Sequence, residues 1–329
     1  MMFAPDYRTI FDQNNRFAWL VFDYLDKMPQ AITAELFASI ETGGALTNPQ
    51  LFCILMQEFM GLDVEKNQLH QVFDREYFPL TVHQLDANIY KQNDYYKNIA
   101  IGAQKLGNWE FCLSHYEPYE AFVCNDLLLT AEMREVPQIG FFSEPFSYPA
   151  VHQNGREWMA IKPSEIESMR EVIDEVKGRV VTFGLGMGYF AYMASQKVEV
   201  ENVTVVETDE QVIKLFNKVV LPQFANPQKV TVVKMDAFQF MSQRMPHCGF
   251  NYAFVDLWHD AADGLELYLR TKRLEHLSPQ TQWRYWVENV LLSAYRWNYM
   301  QKVPKDLNND DLLMQISNQN LRKMALSGK

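Results

Sequence analysis

The chain has 329 residues, room for two domains, and its 48% hydrophobic share is ample for a packed core. With 41 acids against 30 lysines and arginines, the net charge of -11 disfavours general electrostatic attraction to nucleic acid. The strongest apolar run near the start, Phe17–Phe22, is bounded by Arg16 and Asp23 and is far too short to cross a bilayer, so no membrane span is expected.

Residues 7 to about 105 alternate helical apolar spacing with turn signals such as Thr42-Gly43-Gly44 and Gly61-Leu62-Asp63, which predicts a helical N-terminal domain over 1–107. One helix is predicted from Asn48 to about Met60, with Asn48 as N-cap and Pro49 at the first helical position. From Asn108 the texture changes. Trp109–Leu113 and Glu120–Cys124 carry the aromatic and β-branched content of strands, so 108–160 is read as a small β region and linker. Within it Val136–Asn154 holds Pro137, Pro145 and Pro149 and is expected to be an irregular connection, a lid or an interdomain contact. Lys162-Pro163-Ser164 opens a helix that runs to about Val176 and stops at Gly178. The cysteines, 53, 112, 124 and 248, show no C-x-x-C and no zinc spacing. With no signal pattern at the start, they are read as reduced thiols of a cytoplasmic protein, and no metal site is expected.

The passage Val180-Val181-Thr182-Phe183-Gly184-Leu185-Gly186-Met187-Gly188 reads as a buried parallel strand running into alternating glycines. The third glycine of a dinucleotide fingerprint G-x-G-x-x-G would fall at Tyr189. The spacing here is instead the G-x-G-x-G of S-adenosylmethionine (SAM) enzymes, and no lysine follows it as in a triphosphate loop. One helix length later Val203–Val206 ends in Glu207-Thr208-Asp209. An acid at that strand end can accept from both hydroxyls of a ribose, whereas Asp209 is read as the N-cap of a helix from Glu210 to Val220. Val230–Met235 ends in Asp236-Ala237, and Tyr252–Val255 ends in Asp256-Leu257-Trp258-His259-Asp260. Polar residues delivered to the carboxyl ends of several strands mark the ligand edge of an open α/β sheet.

Residues 178 to about 292 therefore resemble a class I SAM-dependent methyltransferase, and within that superfamily the spermidine synthase-like branch. The fold implied is a Rossmann-like, doubly wound, mostly parallel α/β sheet over 161–303, preceded by the helical and small β regions and followed by a C-terminal tail over 304–329. The resemblance implies that Gly184, Gly186 and Gly188 bend around SAM, with Glu207 and its neighbour Thr208 at the ribose. It sets Asp236 and Ala237 at the adenine, and Asp256 near the sulfonium. It departs at two places. Thr182 stands where many methyltransferases carry an acid. Asp256-Leu257-Trp258-His259 replaces the D-[ST]-x-D of aminopropyltransferases.

The expected function is methyl transfer from SAM to a small-molecule or protein acceptor. Aminopropyl transfer from decarboxylated SAM is one alternative, and a non-catalytic SAM-binding regulator is another. His259 is the first candidate base, because imidazole titrates near neutrality and this one falls just past a strand end. Asp256 and Asp260 are the other catalytic candidates. Asp260 also fits an N-cap for a helix from Ala261 to about His276. Trp258 and Tyr189 are read either as walls shielding the sulfonium or as core. Gln282–Glu288 is expected as a fifth strand, followed by an aromatic-rich helix, with no clear pair of further strands. Nucleic acid and membrane are not expected as partners; a homodimer is allowed.

Overall fold

The computed structural model describes residues 6–327 except Thr42, Ala103 and Asn108, so Thr42 of the first turn signal and Asn108 at the first boundary lie outside the described residues. The chain forms two compact units that are not consecutive in sequence. One holds residues up to Ile89, Ser114–Ser147 and Asn308–Leu313; the other holds Tyr90–Leu113, Tyr148–Leu307 and the residues from Met314.

The first unit is built on the helix Tyr7–Lys27, whose Ile10, Asn14, Phe17, Val21 and Tyr24 fall on one face by helical spacing and are buried. Phe17, Phe52, Phe73, Tyr77, Phe78 and Phe141 form its aromatic core, with Phe52 and Phe141 stacked 4.1 Å apart. The helix Asn48–Phe59 is capped by Thr47 rather than Asn48: the Thr47 N–H donates to Gln50 Oε1 (2.8 Å), so the cap falls one residue earlier than the asparagine signal. Three short strands, Val82–Gln84, Ile139–Phe141 and Phe122–Val123, pair in that order.

In the second unit, strands β1 (Gln104–Leu106), β2 (Trp109–Tyr116), β3 (Phe146–Gln153) and β4 (Arg156–Ala160) form a small sheet in chain order, β2 and β3 each running across the division between the units. The expected irregular connection over Val136–Asn154 instead carries the end of the strand Glu135–Val136, the strand Ile139–Phe141 and all of β3. Pro149 sits inside β3, and its carbonyl accepts from the Ile161 N–H (2.8 Å). Its missing donor is tolerated because burial of Phe146, Tyr148, Ala150 and Val151 holds the strand.

The main sheet has five parallel strands, β5 (Gly178–Phe183), β6 (Val200–Glu207), β7 (Val230–Lys234), β8 (Tyr252–Val255) and β9 (Gln282–Tyr285), in the spatial order β7-β6-β5-β8-β9. This is a Rossmann-like α/β fold, with the strand order reversing beside β5. Val180–Phe183 and all of β8 are buried, as central parallel strands covered on both faces must be. Short helix α1 (Asp94–Asn98) precedes the small sheet. Helices α2 (Pro163–Glu175), α3 (Tyr189–Gln196), α4 (Glu210–Leu215), α5 (Ala237–Gln243), α6 (Ala261–Lys272) and α7 (Glu288–Met300) connect or follow the strands.

Several boundaries differ from the sequence expectation. The helix from Glu210 does not stay α to Val220: Phe216–Val220 is a π turn, followed by a 3-10 turn. Helix α6 ends at Lys272, with a separate 3-10 turn at Glu275–Leu277. Strand β9 stops at Tyr285, two residues before Val287, whose φ of 43° is strained for a β-branched side chain. The tail forms the helices Asn309–Ile316 and α8 (Asn318–Ser327). Arg322 of α8 bonds Glu288 Oε2 (2.7 Å), whose Oε1 accepts from Tyr268 (2.8 Å), tying the last helix to α6 and α7.

Candidate functional site

The carboxyl ends of β5, β6 and β8 are level because Phe183 pairs with both Val206 and Val255. The ladder continues one step past the strands: Gly184 N–H donates to Val206 O (3.0 Å) and Asp256 N–H to Phe183 O (2.9 Å). The glycine loop, Glu207 and Asp256 consequently leave the same edge side by side.

The glycines have different reasons to be glycine. A Cβ on Gly184 (φ 99°) would lie 2.0 Å from the carbonyl oxygen of Asp256, and one on Gly188 (φ 77°) would lie 2.4 Å from the ring of Phe216. Both positions are closed by protein, not by the space a ligand needs. At Gly186 the nearest atom to a Cβ is the Met159 sulfur at 3.8 Å, so this is the glycine whose surroundings are open to a ligand. A small apolar recess of about 10 Å3 lies there, walled by Trp109, Phe111, Val151, Met159 and Phe216.

Glu207 is half-buried and joins strand end to loop. Its Oε1 accepts from Thr208 N–H (2.6 Å) and Asp209 N–H (2.8 Å), and its Oε2 accepts from Leu185 N–H (3.2 Å). Oε2 has one backbone donor and keeps lone-pair capacity for a hydroxyl. Thr208 is exposed beside it. Asp209 caps α4, accepting from Gln211 and Val212 N–H. Asp236 is exposed at the end of β7 and caps α5 through Gln239 N–H (2.9 Å), and Ala237, the first residue of that helix, is buried. Asp236 and Ala237 thus sit beside the Glu207 strand at the same edge, since Lys234 pairs with Glu207.

Past β8 the candidates separate. Asp260 caps α6, accepting from Ala262 N–H (2.7 Å), and Asp263 answers by accepting from Asp260 N–H (3.0 Å). His259 is exposed, its ring stacked 5.8 Å from the Trp158 indole. Trp258 is buried among core side chains and stacks on Tyr285, while Tyr189 is buried and takes a hydrogen bond from Asn93 (3.0 Å). The exposed aromatic at this edge is Trp158, set edge-on to Trp109.

Asp256 is half-buried, and burial together with the Glu207 charge pushes its carboxyl up to about 7. It has an acidic neighbour that no strand-end reading reveals: Glu165, in the first turn of α2. Burial, then Asp256, pushes the Glu165 carboxyl up to about 8, against the pull of Lys162, which pairs with Glu157 (3.0 Å). Near neutral pH the pair retains protons, which allows it to accept or give one. Among the described residues no group of histidine, cysteine, aspartate or glutamate side chains is arranged to hold a metal ion, and no helix is long and apolar enough to cross a membrane.

No protein-family model matches the chain, and no curated protein does. Among solved structures it is similar to spermidine synthase from Thermotoga maritima, at 15% identity over 45% of this chain and 55% of that one, with a TM-score of 0.33. A spermidine synthase in complex with the transition state analogue AdoDATO matches at 14% identity over 45% and 54%, with a TM-score of 0.32. A conserved hypothetical protein of Streptococcus pyogenes matches at 16% over 33% and 64%, with a TM-score of 0.27. The chain thus spans little more than half the length of the two synthases.

Proposed function

We propose that this chain is a SAM-dependent transferase that moves the methyl group to a small-molecule or protein acceptor. The observation that carries the reading is Glu207 Oε2 bonded to Leu185 N–H, which makes the glycine loop and the strand-end acid one cradle at the ligand edge of the sheet. In that cradle Gly186 lies against the cofactor, Glu207 takes the ribose hydroxyls, and Asp236 with Ala237 lies at the adenine. Asp256 lies beside the sulfonium, whose positive charge its carboxylate favours.

The reaction is a displacement at carbon. The acceptor lone pair forms the new bond, the carbon–sulfur bond breaks with its electrons going to sulfur, and the acceptor proton passes to a base. Asp256 is the base this reading favours, because its affinity for a proton lies near neutrality and Glu165 stands beside it to share the charge. His259 is the second candidate. Asp260 is engaged in capping α6, which makes it the weakest of the three.

Aminopropyl transfer is supported by a different observation, the crowding of Glu165, Asp256 and Glu207: acids suit the ammonium of decarboxylated SAM and an amine acceptor. Calorimetric titration with SAM and with decarboxylated SAM separates the readings. At least tenfold tighter binding of SAM supports methyl transfer, and the reverse preference replaces it with aminopropyl transfer. Affinity for SAM without product from acceptor libraries favours the regulatory alternative.

A further inference from the structure

We propose that Tyr95, 92 residues before the loop it serves, is a positioning residue that fixes the glycine loop for the cofactor. The inference rests on the cofactor reading above. Tyr95 is buried in α1, and its hydroxyl donates to the carbonyl oxygen of Met187, between Gly186 and Gly188, at 2.6 Å. The next N–H along the loop, that of Gly188, donates to Leu185 O (2.8 Å). Both polar ends of the Met187–Gly188 peptide are therefore held, and that peptide cannot flip without losing two hydrogen bonds. With this peptide fixed, the conformation around Gly186, the open position of the loop, is fixed as well.

The helix that carries Tyr95 is itself anchored to the element that follows the loop. Asn93 donates to Tyr189 Oη (3.0 Å), Asn98 donates to Tyr192 Oη (3.0 Å), and the Tyr95 ring lies edge-on to Tyr192 (5.4 Å). Asn93 also caps α1 by accepting from Tyr95 N–H (2.9 Å). Burial raises the Tyr95 phenol far above its ordinary value, so the hydroxyl remains a donor at any working pH. Tyr96, the next residue, donates to Ile161 O where Tyr95 donates to Met187 O, which makes it a matched control.

The test is calorimetric titration of SAM into wild type, Tyr95→Phe, Tyr96→Phe and Asn98→Ala. Loss of folded protein lowers the stoichiometry, whereas a misplaced loop weakens the affinity of the sites that remain. Tyr95→Phe is expected to bind SAM about five- to tenfold more weakly at unchanged stoichiometry, the effect of one buried carbonyl left without its donor. Tyr96→Phe is expected to match wild type. Asn98 is exposed, so Asn98→Ala folds whatever happens to Tyr95→Phe, and it is expected to weaken binding about twofold by loosening α1. Wild-type affinity in Tyr95→Phe, or in Asn98→Ala where Tyr95→Phe does not fold, or equal losses in the two tyrosine variants, overturns the role of Tyr95. If wild type binds neither SAM nor decarboxylated SAM, it is the cofactor reading that fails.

Discussion

At Gly184 and Gly186 the same residue type does two jobs, and substitution separates them. Alanine at 184 would drive a Cβ to 2.0 Å from a backbone oxygen that cannot step aside, at a φ of 99°. Gly184→Ala is expected to lose more than about 4 kcal/mol of stability in urea unfolding. Gly186→Ala meets only the Met159 sulfur at 3.8 Å and a left-handed backbone, so a loss of about 1–2 kcal/mol is expected, with SAM affinity falling more than stability. Equal stability losses would contradict the distinction. Glu207→Ala is expected to cost about 2–4 kcal/mol of SAM affinity, read by calorimetry, because a charged acceptor of two hydroxyls is removed. Unchanged affinity would remove Glu207 from the site. Glycine spacing and strand-end acids were legible in the chain because central parallel strands show as continuous apolar runs. Which glycine faces a ligand was not, since Asp256 and Phe216 close Gly184 and Gly188 only once the sheet is assembled.

Between elements, the interaction that matters most is the charge repulsion between Glu165 of α2 and Asp256 just past β8. Glu165 and Asp256 have ordinary values of 4.5 and 3.8 and are raised to about 8 and about 7. The folded chain therefore holds protons that the unfolded chain has already lost. This contribution to stability is full below about pH 4 and is lost as pH rises through about 7 to 8. Thermal unfolding midpoints are expected to fall across that range, and Glu165→Gln, which stays neutral, is expected to flatten the fall. An unchanged slope in the variant would contradict the pairing. A bound sulfonium favours the ionised carboxylates, so SAM binding near pH 7 is expected to release protons. Calorimetric heats should then depend on the ionisation enthalpy of the buffer, and independence would place the cation elsewhere. Glu165 carried no signal in the sequence: it reads as an ordinary first-turn acid of an amphipathic helix, favourable at a helix N-terminus, until β8 is set against it. The π turn at Phe216–Val220 escaped for the same reason, since it continues the apolar pattern of a helix and differs only in its hydrogen bonds.

For the whole molecule, the chain order of segments and the packing of units part company. Strands β2 and β3 each run from one unit into the other, a crossing that leaves no change of composition to mark it. The Rossmann-like sheet, by contrast, was legible from Val180 to Tyr285 as strands separated by helix lengths: four as apolar runs, and the fifth from alternating aromatics over Gln282–Glu288, of which Gln282–Tyr285 forms the strand. The functional account rests on that sheet's ligand edge, and so on the identity of what binds there. Calorimetric titration of the full chain with SAM and with NAD, on wild type and Glu207→Ala, tests it most directly. One SAM per chain, no NAD, and a loss of SAM affinity in the variant are expected; binding of NAD without SAM would make this edge a dinucleotide site instead.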